Sequence, residues 1–229
     1  MGSVVFDYDS APERYRLGTA VARAHSTASL YAEVATRLVS LGARRILDVG
    51  CADGPLRSEL LAGPLVVGLD AAAAMVCAHP APAVRADAAR LPFVDASFDA
   101  VTALNVLYHL ADPRLALREA RRVLRSGGTL LASAIARDDS PEFARFWRRP
   151  GTSFDAEEAP SLVGEVFGCV AVHRWDAPLV TLPDAAAVRD YLLGRQAPPD
   201  AAARAAEELR PPVQVTKRGA LVIAAVTRA

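Results

Sequence analysis

The chain has 229 residues, 52% of them hydrophobic and 23% charged, which suits a single domain with an ample core. Its 26 basic side chains balance 26 acidic ones, so no global field draws it toward nucleic acid or a membrane surface. Cys51, Cys77 and Cys169 are widely spaced without a C-x-x-C pair, which argues against zinc and a disulfide framework and suits a reducing cytoplasm. The N-terminus, with Asp7 and Asp9 and no long apolar run, does not read as a signal peptide, and no charge-free stretch approaches membrane-spanning length.

Residues 1–26 hold Phe6, Tyr8 and Tyr15 among charges, with Pro12 as a helix start. Leu30, Val34, Leu38 and Leu41 then recur on one face of a helix ending near Gly42. Ile46, Leu47 and Val49 make a short apolar run that reads as a buried strand, with Asp48 near its end. Gly50 and Gly54 turn the chain, and Pro55, Leu56, Leu60 and Leu61 continue at helical spacing. A strand, a glycine turn and a helix start form a corner suited to a nucleotide-like ligand. The dinucleotide fingerprint fails here at Ala52 and Pro55, and a phosphate-cradling loop fails because the turn contains no lysine.

Leu65 to Leu69 is a second buried strand ending at Asp70, twenty residues beyond Gly50. An acid at that distance in a doubly wound sheet accepts hydrogen bonds from ribose hydroxyls; Asp70 would equally serve to cap a helix over residues 71–78. Val84 to Ala88 reads as a third strand, with Asp87 at its end as a turn former. Ser97 through Leu104 is a fourth strand, and residues 105–109 beyond its carboxyl end should face the ligand. Asp112-Pro113 caps a helix that buries Leu117, Ala120, Val123 and Leu124 and stops at Gly127-Gly128. Its arginines 114, 118, 121, 122 and 125 read as a solvated face, since no aromatic residue is interleaved. Thr129 to Ile135 is a fifth strand.

Beyond residue 137, Phe143, Phe146 and Trp147 form an aromatic stripe that suits a core-facing helix or a substrate wall. Leu162, Val163, Val166 and Phe167 predict a helix, Val170 to Trp175 a strand, Pro183 to Leu193 and Pro198 to Leu209 helices of an insertion, and Leu221 to Val226 a last strand.

Asp48-Val-Gly-Cys-x-x-Gly54 resembles motif I of the class I S-adenosylmethionine-dependent methyltransferases, with Ala52 where that family usually has glycine. Ser97-Phe-Asp-Ala-Val, Leu107-Tyr-His-Leu-Ala-Asp-Pro and Leu117-Arg-Glu-Ala-Arg-Arg-Val-Leu-Arg-Ser-Gly-Gly-Thr-Leu extend the resemblance, over residues 44–136, to the type 11, ubiquinone/menaquinone methyltransferase-like group. The resemblance implies an α/β fold: a Rossmann-like doubly wound sheet of seven strands, mostly parallel with an antiparallel last strand, and helices on both faces. One domain is expected over 1–229, with N-terminal helices and a lid over 1–42, a cofactor core over 43–136 and a C-terminal half over 137–229.

It implies S-adenosylmethionine as cofactor, S-adenosylhomocysteine as product and no metal. The cofactor residues carried over are Asp48, Gly50, Cys51, Ala52 and Gly54 of motif I, Asp70 and Ala71, Asp87 and Ala88 toward adenine, Asn105 and Val106 after the fourth strand, and Tyr15 and Arg16 of the lid. Tyr8, Tyr108, Phe146 and Trp147 are candidate substrate contacts. His109 and His25 are candidate bases for a hydroxyl acceptor, a role that suits histidine near neutral pH, although the family commonly carries histidine at the first position for structural reasons. A small-molecule acceptor is expected, without nucleic acid or membrane, for a monomer or homodimer. A protein of this fold that binds the cofactor without catalysis, and a methyltransferase acting on protein or RNA, remain open at this point. The asparagine-proline-proline-tyrosine signature of base and glutamine methylation is replaced by Asn105-Val106-Leu107-Tyr108.

Overall fold

The computed structural model describes Asp9, residues 12–60 and residues 63–227. Its strands are β1 (Arg45–Val49), β2 (Leu65–Asp70), β3 (Ala83–Arg85), β4 (Phe98–Leu104), β5 (Leu124–Ile135), β6 (Val170–Leu182) and β7 (Val213–Ala225). They form one seven-stranded sheet in the order β3-β2-β1-β4-β5-β7-β6, where β7 runs antiparallel to both its neighbours and the remaining pairs are parallel.

A parallel sheet needs cover on both faces, and the period-2 alternation of the strands supplies two apolar surfaces. Ile46, Val66, Ala100, Leu104 and Leu131 join Val34 and Leu38 of helix α2 (Leu30–Ser40) and Leu56 of α3 (Pro55–Glu59) on one face. Leu47, Val49, Val101, Ala103 and Leu130 meet α5 (Pro113–Val123) and α6 (Ala159–Phe167) on the other. A third cluster joins Val180, Leu182, Val213 and Val215, where the β6–β7 hairpin runs on past the carboxyl edge of the sheet, to α7 (Ala185–Gly194) and α8 (Pro199–Glu208).

Helix α1 (Pro12–His25) lies over that carboxyl edge. Before it, Asp9 accepts from Ala74 N at 2.9 Å, at the start of α4 (Ala73–Ala78), and lies 3.4 Å from Arg85 at the end of β3. Midway, Gly18 meets Gly194 of α7 backbone to backbone; a Cβ on Gly194 would stand 2.3 Å from Gly18 Cα. After the helix, Ser26 bridges Val180 of β6 and Thr27 N donates to Leu179 O at 2.8 Å. The described N-terminal residues thus make contacts at both sheet edges, with β3 through Asp9 and with β6 through Ser26 and Thr27.

Several expected boundaries move. Leu41 is 53% exposed, because α2 ends at Ser40 and Leu41 only caps it. Helix α3 stops at Glu59, and Leu61 lies outside the described residues. Strand β3 ends at Arg85, short of Ala88. Helix α5 ends at Val123 because Leu124 is already extended (ψ 135°), so the glycine pair lies within β5 and does not stop the helix. Of the aromatic stripe, Phe143 ends a 3-10 turn, Pro141–Phe143, and Phe146 and Trp147 follow it outside any helix. Arginines expected on one solvated helix face pair within the chain: on α5, Arg114 with Glu165 at 2.7 Å and Arg122 with Glu119 at 2.7 Å, and on β5, Arg125 with Asp99 at 3.1 Å. Among the described residues no helix is long and apolar enough to cross a membrane.

Candidate active site

The turn after β1 is held by backbone groups that leave the sheet. Gly50 N and Cys51 N both donate to Leu69 O, at 2.7 and 3.1 Å, which pins the turn to β2. Gly50 has φ +71°, and a Cβ there would lie 2.3 Å from Val106 Cγ2, so only glycine lets the loop after β4 close on the turn. Ala52 also adopts left-handed backbone, φ +48°, where a Cβ costs about 1–2 kcal/mol. Its N–H donates to Asp70 Oδ2 at 3.0 Å, while Asp70 Oδ1 accepts from Ala72 N at 3.0 Å. A carboxylate has about four acceptor sites, so two remain for a pair of hydroxyls. Asp70 does not cap α4, whose N-cap is Ala72; its carboxylate holds the turn between β2 and that helix and still has capacity for a diol.

Asp48 is 3% exposed and its Oδ1 accepts from Thr102 Oγ1 at 2.7 Å. It supports the turn from behind through its field and does not present its carboxylate to a ligand. Burial, and then the nearby Asp70 charge, push its carboxyl up to about 7 against the Thr102 hydrogen bond. Cys51 is buried, and the same effects push its thiol far above its usual range, so it enters the turn as a packed, neutral group. Asp87 is exposed; Oδ1 accepts from Ala89 N at 2.9 Å and Oδ2 lies 3.6 Å from Arg90. Ala71 is exposed beside Asp70 and its carbonyl accepts from Arg85 Nε at 3.0 Å; Ala88 is half-buried.

At the end of β4, Asn105 turns left-handed, φ +53°, and is locked by Ser133 of β5. Ser133 Oγ accepts from Asn105 N at 2.9 Å and donates to Asn105 Oδ1 at 3.1 Å. The chain then makes a 3-10 turn, Leu107–His109, which sets the Tyr108 and His109 rings 4.2 Å apart. Burial alone depresses the His109 imidazolium to about 4, so the ring is neutral at physiological pH. Burial also pushes the Tyr108 hydroxyl upward, opposed by the charges of Arg149 and Arg195.

The structure therefore brings Gly50, Ala52, Gly54, Asp70, Ala71, Asn105, Val106, Tyr108 and His109 to the carboxyl ends of β1, β2 and β4. It does not bring His25 there: that residue ends α1 beside Ser26, at the β6 edge. Phe146 and Trp147 are half-buried and pack on the cluster that Phe143 forms with α7 and α8. Arg16 is exposed on α1; Tyr15 lies on the same helix with its side chain undescribed, and Tyr8 lies outside the described residues.

Sequence reasoning missed Tyr31, Thr102, Ser133, Arg149 and Arg195. Tyr31, on α2, is buried enough that its hydroxyl is pushed far up, and Asp48, Tyr108 and Asp53 add to the effect. It sits one position off the apolar stripe that was read from the helix, so periodicity passed it over. Among the described residues, one group of potential metal ligands comes together, Asp155, Glu157 and Glu158, and Arg137 and Arg149 already pair with Asp155.

A family model described as a methyltransferase domain matches residues 47–132. The O-methyltransferase cnsE of Penicillium expansum is 36% identical over 131 residues, covering 50% of this chain and 48% of that protein. A demethylmenaquinone methyltransferase of Mycolicibacterium paratuberculosis is 30% identical over 161 residues, covering 66% of each. The solved structure of the 4+2 cyclase SpnF matches with a TM-score of 0.68 at 20% identity, over 99% of this chain and 96% of that one, a likeness of fold. The chain spans about half the length of most curated relatives it matches, 48%, 42% and 52% for three of them.

Proposed function

The chain belongs to the type 11 group of class I S-adenosylmethionine-dependent methyltransferases, and on that premise we propose that it methylates oxygen, nitrogen or carbon of a small molecule, a secondary metabolite. The observation that carries this reading is the site's construction: a glycine turn closed by Val106, an acid with two open acceptor positions, and a helix laid across the carboxyl edge. S-adenosylmethionine supplies a methyl group on a sulfonium, already activated for in-line displacement.

The residues present fit such a ligand. Asp70 has the capacity for the ribose diol, Gly50 lets Val106 close on the turn, and exposed Asp87, beyond β3, is our candidate for the adenine amino group. Asp48, Asp53 and Asp70 make the motif I side acidic, which suits a ligand carrying a sulfonium and an ammonium. The chain's own task in the reaction is alignment and exclusion of water, for which α1 and the residues 105–109 are positioned. With its imidazolium near 4, His109 is a weak base at neutral pH, and we assign it to orient Tyr108 by ring contact.

A thermal melt with S-adenosylmethionine, S-adenosylhomocysteine, NAD and NADP, each alone, tests the reading. At one hundred times its dissociation constant a ligand that binds only the folded state stabilises by about 2.7 kcal/mol. In a domain of this size that moves Tm by about 5–11 °C. The first two ligands should shift the midpoint and the nicotinamides should not; a shift with a nicotinamide alone overturns the assignment. Cofactor binding without turnover on any acceptor would favour a binding protein of this fold.

A further inference from the structure

Resting on the methyltransferase reading, we infer that Arg122 is a positioning residue for cofactor selection: with Glu119 it clamps Leu91, holds the turn that carries Asp87, and so makes the site prefer adenine to a base without the 6-amino group. The chain between β3 and β4 invites such a clamp. A connection between parallel strands usually packs a helix on the sheet, yet residues 86–97 contain none. The backbone groups of such a stretch need partners from elsewhere. Helix α5 supplies them. Arg122 donates to Glu119, one turn before it, through Nε to Oε1 and through Nη2 to Oε2, both at 2.7 Å. Arg122 Nη2 also donates to Leu91 O at 3.0 Å, and Glu119 Oε2 accepts from Leu91 N at 2.8 Å. The ion pair thus grips Leu91 by both its N–H and its carbonyl, as a neighbouring strand would.

Arg122 Nη1 completes the set, donating to Phe93 O at 2.7 Å and to Asp95 Oδ1 at 2.8 Å. All five N–H donors of the guanidinium are therefore used, an arrangement that a lysine has neither the donors nor the plane to reproduce. The hydrogen bonds from Arg122 hold the Glu119 carboxyl below its usual range, so the pair is ionised at neutral pH. Apolar contacts add to the grip: Leu91 is buried, and Phe93 meets Phe98 edge to face at 5.1 Å. Between β3 and Leu91 lies the turn of Asp87. Its entrance is tied to β2, where Ala86 N donates to Asp70 O at 3.0 Å. Inside it, Asp87 Oδ1 accepts from Ala89 N and Asp87 O from Arg90 N, both at 2.9 Å. Its exit is Leu91, held by α5. Asp87 Oδ2, with the exposed Arg90 guanidinium 3.6 Å away, keeps acceptor capacity for an amino group. A carboxylate fixed in place discriminates, because a base with a carbonyl at that position sets acceptor against acceptor. With Leu91 released, the turn carries Asp87 out of line, and the discrimination goes while the ribose contacts stay.

The test titrates the whole chain, by calorimetry, with S-adenosylhomocysteine and with S-inosylhomocysteine, in which a carbonyl replaces the adenine amino group. The unaltered chain should bind the first about tenfold or more tightly than the second. Arg122→Gln should bring the two within about threefold, by weakening S-adenosylhomocysteine while S-inosylhomocysteine stays within about twofold of its parent value. Asp87→Ala should do the same, and the double variant should lose nothing further, because both changes remove one interaction. S-inosylhomocysteine binding reports whether each variant has folded; if Arg122→Gln has not, Arg122→Lys, which keeps a charge beside Glu119 without the second fork, takes its place. A preference that survives the Arg122 change, equal losses for both ligands, or losses that add in the double variant would overturn the inference. Equal binding of both ligands by the unaltered chain would overturn it too, together with the assignment of Asp87, and leave the methyltransferase reading standing. Binding of neither ligand would overturn that reading instead.

Discussion

Asp48→Asn should stabilise the protein at alkaline pH and not at acidic pH. The carboxyl is raised to about 7 by burial, and a carboxyl in the unfolded chain titrates near 3.9. Between those values the folded state binds the proton more tightly than the unfolded state, so stability falls as pH rises, and the loss is complete above about 7. A difference of about 3 pH units corresponds to about 4 kcal/mol over the whole window, of which about 2 kcal/mol falls between pH 5.5 and 8.0. Asparagine keeps an acceptor for Thr102 Oγ1, 2.7 Å away, and does not titrate. The Tm difference between variant and parent should therefore grow by about 4–8 °C from pH 5.5 to 8.0, read by calorimetry in matched buffers. A flat difference would mean that Asp48 is ionised at both values, and the argument from burial would fail.

Three further substitutions probe the turn and the loop facing it. Asp70→Ala should weaken S-adenosylhomocysteine binding at least about tenfold by removing charge-assisted bonds to the ribose, and unchanged affinity by titration calorimetry would sink that assignment. The same change strands Ala52 N and Ala72 N and should cost about 1–3 kcal/mol in a denaturant melt. Gly50→Ala, whose Cβ meets Val106 at 2.3 Å, should lose cofactor affinity and more stability than Gly42→Ala, where φ is +64° and nothing lies within 4 Å; equal losses would show that the contact is slack. His109→Gln should keep turnover within about tenfold and leave the pH–rate profile without an inflexion near 6.5, since its imidazolium titrates near 4; a hundredfold fall with cofactor affinity intact would restore it as the general base.

What the sequence disclosed follows from the range of the interactions involved. Strands β1, β2, β4 and β5 were readable because each is a continuous apolar run buried on both faces, and the turns between them depend on residues adjacent in the chain. Asp112 was readable as a cap because its side chain reaches only to Arg114 N, at 3.0 Å. Asp48 was seen, yet its burial against Thr102, 54 positions away, was not, and that contact decides whether it meets a ligand or supports the turn. Phe146 and Trp147 read as core more readily than as wall, and no further, because periodicity gives a face without saying what covers it. Arg195 carried no local signal at all, because Asp139, which it meets at 3.1 Å, lies 56 positions away in the chain.

The left-handed residues explain why the turn and its ligand should be coupled. Ala52 and Asn105 both hold backbone conformations that a Cβ disfavours, and each is held there by a side chain from another strand, Asp70 of β2 and Ser133 of β5. Ser133 spends its one hydroxyl proton and one lone pair on Asn105, so the loop after β4 is held without help from a ligand. Asp70 is different, since the carboxylate that restrains Ala52 is also the one with open acceptor positions toward the ribose. A diol bound there fixes the rotamer of Asp70 and so reinforces the hydrogen bond that keeps Ala52 in its strained state. By linkage the reinforcement is mutual, because a turn already restrained binds the diol without having to order itself first. The added methyl of Ala52, where glycine is usual in this family, thus makes the free turn costlier to hold and raises its dependence on Asp70.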